Sequence, residues 1–262
     1  MNERPAVGKD SVMPPVGERV EWLEQVDSTN NVLKQRAAEG APHGLVVVAR
    51  EQTGGRGRMG RSFESPKGKG LYFSVLLRPD CLPAEAVDLT SWIAVAVCRA
   101  IENHTGLRAG IKWTNDVLLE GKKVCGILTE MQTSGSSLDW VVAGIGINLD
   151  HQEGDLSPQV AAIATSLGGH MPSPPTAEEL TAALIGELNE MAEGFPGEKM
   201  NWLAEYRRRC VTLGREVEVR RGSRVRFGRA LALDDDFRLV VEFENGVAEA
   251  LDGGEVSVKG LC

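Results

Sequence analysis

The feature that most constrains the fold is a run of four consecutive strand candidates between positions 111 and 149. They cover residues 111–113, 117–119, 124–131 and 140–149. Helical patterns follow at about 158–167, 176–193 and 198–210. Strands grouped together beside helices grouped together are typical of the α+β class. The sequence therefore predicts an α+β fold.

A polar cluster stands at the start of an earlier predicted helix. The pattern over residues 31–39 predicts this helix, and Gly40 is typical of a residue that closes one. Ser28, Thr29 and Asn30 immediately precede it. Short polar side chains are preferred at such helix starts. We therefore expect these three side chains to lie together at a helix N-terminus.

A glycine-rich stretch at 54–61 lies between two predicted strands. The β-branched run at 44–49 predicts a buried strand, and residues 71–77 predict the next one. Residues 83–104 carry apolar side chains at helical spacing, which predicts one long amphipathic helix ending at Gly106. The glycine-rich stretch is therefore expected to be a loop beside the sheet.

The pattern changes near the C-terminus, where short alternating runs predict strands. Asn245 and Gly246 between two such runs predict a type I′ hairpin turn. We expect a small β-barrel over residues 213–262, after a main domain over 20–212. Residues 1–19 contain adjacent prolines and few apolar side chains, which predicts a flexible segment with nothing to bury.

Charge and composition exclude several classes of protein. A net charge of −8 argues against a general nucleic-acid binder, so any anion site must be a local basic island. The apolar segments fall short of the roughly 18 to 20 residues that cross a bilayer, and no signal peptide is evident. Five cysteines and four histidines are scattered without disulfide or zinc spacing. The sequence predicts a cytoplasmic protein without a membrane span.

The strongest chemical signal is GGRGRMGR at 54–61, with three arginines and four glycines in eight residues. Glycines let backbone N–H groups turn inward, and a guanidinium can grip phosphate or carboxylate oxygens in two places. The loop therefore suits a polyanion. A mobile basic surface loop explains the same residues equally well.

Three other stretches carry weaker signals, each with a structural explanation beside the functional one. Lys112 in KWTND (112–116) points either into a cleft, as a second cation, or into water. The glycines of GIGIN (144–148) either admit a flat ligand or allow close strand packing. The stretch GKKVC (121–125) indicates a solvated turn followed by a small buried residue, Cys125, without a redox or metal role.

Five motifs in a fixed order resemble those of the biotin protein ligases. They are DSTN at 27–30, GGRGRMGR at 54–61, KWTND at 112–116, GKKVCGIL at 121–128 and GIGINL at 144–149. The ending GGEVSV at 253–258 also fits that family. The resemblance implies a catalytic domain like those of class II aminoacyl-tRNA synthetases over 20–212, followed by an SH3-like barrel over 213–262.

The resemblance also implies a reaction with ATP, Mg²⁺ and biotin, without a permanently bound cofactor. The biotin carboxylate attacks the α-phosphate of ATP, giving biotinyl-5′-AMP and pyrophosphate. A lysine of the biotin carboxyl carrier domain of a carboxylase then accepts the biotinyl group. Such an enzyme is expected to be a monomer or a homodimer.

The family pattern assigns roles to individual residues. Biotin would be bound by Ser28, Thr29, Asn30, Gln52, Arg56, Gly57, Arg58 and Lys112. The nucleotide would be bound by Arg58, Arg61, Asn115, Lys123 and Asn148. Lys112 and Arg58 are the candidate catalytic residues, because fixed positive charge lets two anions approach. Asp116 would orient Lys112 or help to deprotonate the acceptor amine. The family pattern does not assign the metal ligands.

Three positions depart from the usual family motifs. Thr114 stands where proline is usual, Cys125 where alanine is common, and Phe63 where tryptophan often follows the loop. None of them removes a charged or hydrogen-bonding group assigned above. Family members that repress transcription carry an N-terminal winged helix, for which too few residues precede Glu21, so no DNA binding or repression is expected.

Two other functions are weighed against this one. Lipoate or octanoate ligases and transferases have a fold similar to the one expected here, but they lack the GRGRMGR loop. A non-catalytic binding module would use the basic loop for an acidic partner and the barrel for a peptide.

Overall fold

The computed structural model describes residues 13–261 and confirms the α+β class. The main sheet has seven strands. They are β1 (Val20–Leu23), β2 (Val46–Ala49), β3 (Gly70–Leu77), β4 (Gly110–Lys112), β5 (Asp116–Leu119), β6 (Lys122–Ser134) and β7 (Ser137–Asn148). Their order is β1-β2-β3-β7-β6-β5-β4, and only β1 and β2 run parallel.

Six α-helices accompany the sheet within the described residues. They are α1 (Thr29–Ala38), α2 (Pro83–Ala86), α3 (Leu89–Thr105), α4 (Pro158–Ala161), α5 (Ala177–Gly194) and α6 (Lys199–Arg209). The single helix expected over 83–104 is divided at Asp88, whose carboxylate lies 2.9 Å from Lys199 Nζ on α6. No helix in residues 13–261 has the length and apolarity to span a membrane.

The helix expected over 158–167 is wrong beyond its first turn. After α4 the chain pairs with β6, since Lys123 N donates to Ile163 O at 2.9 Å and Thr165 N donates to Lys123 O at 2.8 Å. The apolar residues of this stretch therefore face a cavity and a strand, although their spacing also fits a helix.

The two faces of the main sheet pack against different helices. α3 is buried on one face, and α5 and α6 pack against α3 and also contact β3 and β4. α1 covers part of the other face through a smaller cluster that includes Leu33, Val47 and Val142. Successive strand residues point to opposite faces, so Gly144 and Gly146 lie on the same face as Val142. This face is left open beyond α1.

A separate five-stranded antiparallel sheet follows. Its strands are β8 (Glu216–Arg221), β9 (Arg224–Leu233), β10 (Leu239–Phe243), β11 (Ala248–Leu251) and β12 (Glu255–Val258). Their order is β11-β10-β9-β8-β12. The type I′ turn expected at Asn245-Gly246 is wrong, because such a turn needs positive φ at both residues and only Gly246, with φ of 74°, has it. Instead Gly246 N donates to Phe243 O at 2.8 Å within a longer loop.

The segment before β1 packs on the core, contrary to the expectation that it has nothing to bury. Met13 is 4% exposed and Val16 is 2% exposed. Val16 N donates to Asn189 Oδ1 at 2.7 Å, which attaches the segment to α5. The expected flexibility of residues 1–12 lies outside the described residues.

Candidate functional site

A first cavity opens on the sheet face beside α1. Its lining includes Ser28, Thr29, Asn30, Gln52, Arg56, Gly57, Arg58, Phe63, Tyr72, Gly126, Gly144 and Gly146. A Cβ at Gly144 would lie 2.2 Å from Asn30 Oδ1, and one at Gly146 would lie 2.5 Å from the Phe63 ring. The glycines therefore let α1 and Phe63 approach the strands closely.

A chain of hydrogen bonds runs along one wall of this cavity. Ser74 Oγ lies 2.7 Å from both Thr29 Oγ1 and Asn30 Oδ1. Thr29 Oγ1 donates to Gln52 Oε1 at 3.1 Å, and Gln52 Nε2 donates to Ser65 Oγ at 2.9 Å. An unsatisfied buried polar group costs about 1–3 kcal/mol, which holds these side chains in their paired orientations. The orientation of the Gln52 amide is thus set by the protein itself.

Glu130 of β6 lies at the rim of the cavity, outside its lining, and contacts Asn30 and Arg56, which do line it. Its carboxylate accepts hydrogen bonds from Lys34 Nζ at 2.8 Å and Asn30 Nδ2 at 2.9 Å. The Arg56 guanidinium lies 3.7 Å from the same carboxylate and donates to Asn31 Oδ1 at 3.1 Å. Burial acts to raise the pKa of Glu130, but the bonds from Lys34 and Asn30 outweigh it and lower that pKa. Glu130 is therefore ionised at neutral pH.

The Arg/Gly loop, residues 54–61, lies beside both this cavity and a second one. Its two arms touch, since Phe63 N donates to Gly55 O at 2.9 Å and a Cβ on Gly55 would lie 2.1 Å from Phe63 O. At the tip, Met59 and Gly60 have φ of 57° and 76°. Positive φ is easy for glycine and uncommon for methionine, so the tip is a strained turn.

The arginines of the loop reach separate parts of the fold. Arg58 donates to Asn115 Oδ1 at 2.8 Å, and Asn115 Nδ2 in turn donates to Ile127 O at 2.9 Å. Arg61 forms an ion pair with Glu255 of β12. The loop therefore links the main sheet to the C-terminal sheet.

The second cavity lies between the loop, the segment after β7 and β12. Its lining includes Arg58, Arg61, Glu64, Lys112, Asn115, Asp116, Lys123, Asn148, Leu156, Val160, Ile163 and Glu255. Lys123 Nζ lies 2.7 Å from Asp116 Oδ1. One side is thus rich in cations, whereas the segment after β7 supplies an apolar wall.

The two cavities share part of their lining. Gly57, Arg58, Phe63, Asn115 and Lys123 contact both. Two cationic side chains therefore stand at the junction. A carboxylate in the first cavity and a phosphate in the second can both be neutralised there.

Neither resident metal ligands nor a reactive thiol are found within residues 13–261. No group of three or more histidine, cysteine, aspartate or glutamate side chains could hold a metal ion in this part of the chain. Cys125 is fully buried, and burial raises the pKa of its thiol well above the usual range. The sequence interpretation of Cys125 as a small buried residue is confirmed.

Both parts of the chain match protein families with related descriptions. Residues 22–148 match the biotin/lipoate A/B protein ligase family, and residues 212–259 match the biotin protein ligase C-terminal domain. The chain is 35% identical to the bifunctional ligase/repressor BirA of Bacillus subtilis, over 88% of this chain and 72% of that protein. The chain belongs to the biotin protein ligase family. It is also 33% identical to the biotin–acetyl-CoA-carboxylase ligase of Paracoccus denitrificans, over 88% of this chain and 100% of that one.

Solved structures of biotin protein ligases have the same fold. The ligase from Aquifex aeolicus in complex with biotin and ATP has a TM-score of 0.78 and 29% identity, covering 93% of this chain and 99% of that one. The ligase from Leishmania major in complex with biotinyl-5-AMP has a TM-score of 0.62 and 25% identity, covering 90% of this chain and 99% of that one. The chain is thus an enzyme of the biotin–acetyl-CoA-carboxylase ligase class.

The ligase brings the residues predicted for its site together in two groups. Seven of the eight predicted biotin residues line the first cavity, namely Ser28, Thr29, Asn30, Gln52, Arg56, Gly57 and Arg58. All five predicted nucleotide residues line the second, namely Arg58, Arg61, Asn115, Lys123 and Asn148. Lys112 lines the second cavity and not the first. Their binding roles stay predictions.

Sequence reasoning missed three residues that shape the site. Ser74 is a lone polar residue in the apolar strand β3, and it bonds to the cluster at the start of α1. Glu130 is the acid at the rim of the first cavity, and Gly126 is part of its floor. A polar residue inside a fully buried strand was a readable signal, because such groups need partners.

Proposed function

We propose that this ligase activates biotin as biotinyl-5′-AMP and then transfers the biotinyl group to a specific lysine of a biotin carboxyl carrier domain. The junction of the two cavities at Arg58 and Lys123 is the observation that carries the proposal. Fixed positive charge there offsets the repulsion between a carboxylate and a phosphate. The complexes of related ligases with biotin and ATP, and with biotinyl-5-AMP, support binding of both substrates and of the adenylate.

The first cavity holds the ring system of biotin in this proposal. Ser28, Thr29 and Gln52 face the ligand, and Tyr72 and the glycine floor contact its apolar surface. Asn30 acts mainly by holding its neighbours, because its Nδ2 group already donates to Leu128 O at 3.2 Å and to Glu130 at 2.9 Å. A pre-oriented set of hydrogen-bonding groups favours binding because little ordering is left to do.

The reacting groups meet between the loop and β4. A biotin carboxylate oxygen forms a bond to the α-phosphorus, while the bond from that phosphorus to the β-phosphate oxygen breaks and pyrophosphate leaves with the electron pair. Arg58 neutralises the carboxylate from the loop. Lys112 stabilises the charge that develops on the α-phosphate, from within the second cavity. Arg56 and Gly57 cover the carboxylate, and the closed loop shields the mixed anhydride from water.

The second cavity holds ATP. The adenine ring contacts the apolar wall of Leu156, Val160 and Ile163, since a flat apolar surface gains from burial there. Arg61, Lys123, Asn115 and Asn148 lie along the phosphates and ribose. These assignments are the nucleotide side of the proposal.

Mg²⁺ enters with ATP in this proposal and is not a resident metal. Magnesium is usually held by one or two carboxylates together with substrate phosphates and water. Glu64, Asp116 and Glu255 are the carboxylates that line the second cavity. Asp116 lies 2.7 Å from Lys123 Nζ and Glu255 pairs with Arg61, so both carboxylates stand beside predicted nucleotide ligands. The ion would supply charge neutralisation for pyrophosphate as it leaves.

The acceptor is a lysine of a carrier domain, whose amine attacks the acyl carbon and displaces AMP. Asp116 orients the cations or takes up the proton of that amine. Residues 20–212 form the catalytic domain and residues 213–262 the C-terminal barrel that completes the second cavity. We place the reaction in the cytoplasm, where ATP is available, with the enzyme as a monomer or a homodimer.

The experiment uses the full chain with ATP, Mg²⁺ and a purified carrier domain. Biotin-dependent exchange between ATP and pyrophosphate is expected, followed by a biotinyl-sized mass increase on one lysine of the carrier. A lipoyl-sized increase would contradict the substrate, and absence of exchange would contradict catalysis and leave a binding module.

Arg58→Gly tests the containment role of the loop. Because the junction loses one of its cations and the bond to Asn115, activated biotin should escape and label unrelated proteins. Labelling is measured by streptavidin detection on a mixture of non-acceptor proteins, with melting temperature as the control for folding. Labelling confined to the carrier domain would contradict the containment role.

A further inference from the structure

A single carboxylate oxygen at the rim of the first cavity is shared by two cations. Glu130 Oε1 lies 2.8 Å from Lys34 Nζ and 3.7 Å from Arg56 NH1. We propose that Glu130 is a positioning residue that holds the Arg/Gly loop over the site through Arg56, and that Lys34 sets the strength of this hold. The inference rests on the proposed function, since the loop must contain an activated intermediate.

The three side chains differ in how firmly they are anchored. Lys34 and Glu130 belong to α1 and β6, and their side chains are 26% and 23% exposed. Arg56 belongs to the loop and is 47% exposed. The shorter contact is therefore the one within the rigid frame, and the longer contact is the one to the loop. A cation on α1 thus competes with a cation on the loop for the same oxygen.

The competition from Lys34 weakens the ion pair that attaches the loop to Glu130. Lys34 neutralises much of the charge that would otherwise attract Arg56, so the Arg56–Glu130 pair is weaker than it would be alone. The other contact of Arg56 is a neutral one, to Asn31 Oδ1 at 3.1 Å. A weak pair suits a loop that must close over an intermediate and open again for the acceptor.

Two substitutions should change the strength of the Arg56–Glu130 pair in opposite directions. Glu130→Gln keeps an oxygen that can accept from Asn30 Nδ2 but removes the charge that attracts Arg56. The loop should then open more often. Lys34→Gln leaves Glu130 ionised and removes its competitor, so Arg56 should be held more tightly. If Glu130 and Lys34 only stabilise the fold, both substitutions should change the opening of the loop in the same direction.

The experiment measures how many biotinyl-5′-AMP molecules are released into solution for each carrier domain biotinylated. We expect this ratio to rise about threefold to fivefold in Glu130→Gln and to fall about twofold in Lys34→Gln, as for partly exposed ion pairs. Higher salt should shrink both differences. Equal ratios in the parent and both variants would overturn the proposal. Lack of biotin-dependent pyrophosphate exchange in the parent would instead overturn the proposed function.

Glu21→Gln is the matched control. Glu21 is also a half-buried strand carboxylate near two arginines, with its side chain 17% exposed, but its partners Arg19 and Arg36 do not belong to the Arg/Gly loop. Its release ratio should equal that of the parent. If Glu130→Gln fails to fold, Lys34→Gln decides alone, since an unchanged or higher ratio in that variant contradicts the proposal.

Discussion

The two cavities of the ligase are built in different ways. The first is made by neighbouring strands and one helix start, and buried hydrogen bonds such as Ser74 to Thr29 and Gln52 to Ser65 fix its wall. The second is made where separate elements meet, and an ion pair between Arg61 and Glu255 joins two of them. One cavity is therefore shaped by the core, and the other depends on contacts between surfaces.

This difference suits the two ligands of the proposed function. A cavity fixed by short buried bonds selects one rigid ligand and gains little from movement. A cavity closed by partly exposed ion pairs opens at low cost, because such pairs contribute only about 0–1 kcal/mol each. We therefore expect substitutions in the first cavity to act through shape, and those in the second to act through charge and to respond to salt.

The largest effect is expected for Lys112→Ala, which removes a cation from the second cavity. If Lys112 stabilises charge on the α-phosphate, biotin-dependent pyrophosphate exchange should fall about 100- to 1,000-fold, as when a transition-state donor is removed. Lys259→Ala, at a barrel lysine 80% exposed, is the control and should leave exchange unchanged. Biotin binding, measured by calorimetry, should change far less than exchange. A similar loss in both would place Lys112 with biotin instead.

Gly144→Ala tests the shape of the first cavity. The new Cβ would lie 2.2 Å from Asn30 Oδ1 and must displace the amide that Ser74 and Glu130 hold. We expect a loss of stability of about 1–3 kcal/mol and about tenfold weaker biotin binding, with ATP binding retained. Thermal unfolding and calorimetry measure the two effects.

The matched control is Gly186→Ala in α5, where nothing lies within 4 Å of the new Cβ. It should stabilise the protein by about 0.5–1 kcal/mol, because alanine favours a helix. Equal biotin affinity in Gly144→Ala and the parent would show that the wall tolerates displacement of Asn30.

Much of the first region could be predicted from sequence because local patterns determine it. The helix start at Ser28 and the strands around the glycine-rich stretch follow from capping and β-branched periodicity. The strand β1 was missed because its residues are mostly half-buried at a sheet edge and show no clear alternation. The burial of Met13 and Val16 depends on α5, which lies far away in sequence.

The second region could be predicted less well because it depends on contacts between distant elements. The pairing of Arg61 with Glu255 joins residues on two different sheets, and no local pattern indicates it. The placement of Lys112 away from the first cavity likewise depends on how β4 meets the loop. The ordered motifs therefore predicted the cavity for the five nucleotide residues, but not that Lys112 lines the second cavity instead of the first.

A smaller effect is expected for Glu255→Gln, which breaks the link between the loop and β12. The KM for ATP should rise about twofold to fivefold while the KM for biotin stays unchanged, since the pair is partly exposed. Raising the salt concentration should weaken the same pair in the parent, so that the KM for ATP of the parent approaches that of the variant. Glu244→Gln, an exposed barrel residue outside the second cavity, is the control. A change in the biotin KM of equal size would contradict the separation of the two regions.

The smallest effect concerns pH and the segment after β7. Neither ring nitrogen of His151 has a hydrogen-bond partner among the described residues, and both are buried. Burial lowers the pKa of His151, although Asp155 acts to raise it and Lys69 to lower it further. The neutral ring is therefore favoured in the folded segment. The stability that the neutral His151 ring gives to the folded segment is fully present above the ordinary histidine pKa of about 6.5. It is lost as the pH falls through the lower pKa of the folded state.

This segment leads into Leu156 and the apolar wall, so its loosening should weaken ATP binding before biotin binding. In the parent, the KM for ATP should rise as the pH falls from about 7.5 to about 5.5, across the histidine range. His151→Gln, which cannot titrate, should show a smaller rise, with steady-state kinetics as the measurement. Because titration of ATP itself and of carboxylates is common to both proteins, the difference between them isolates His151. If the KM for ATP rises equally with falling pH in parent and variant, protonation of His151 does not affect the wall of the second cavity. The second cavity would then be as insensitive to this charge as we expect the first cavity to be.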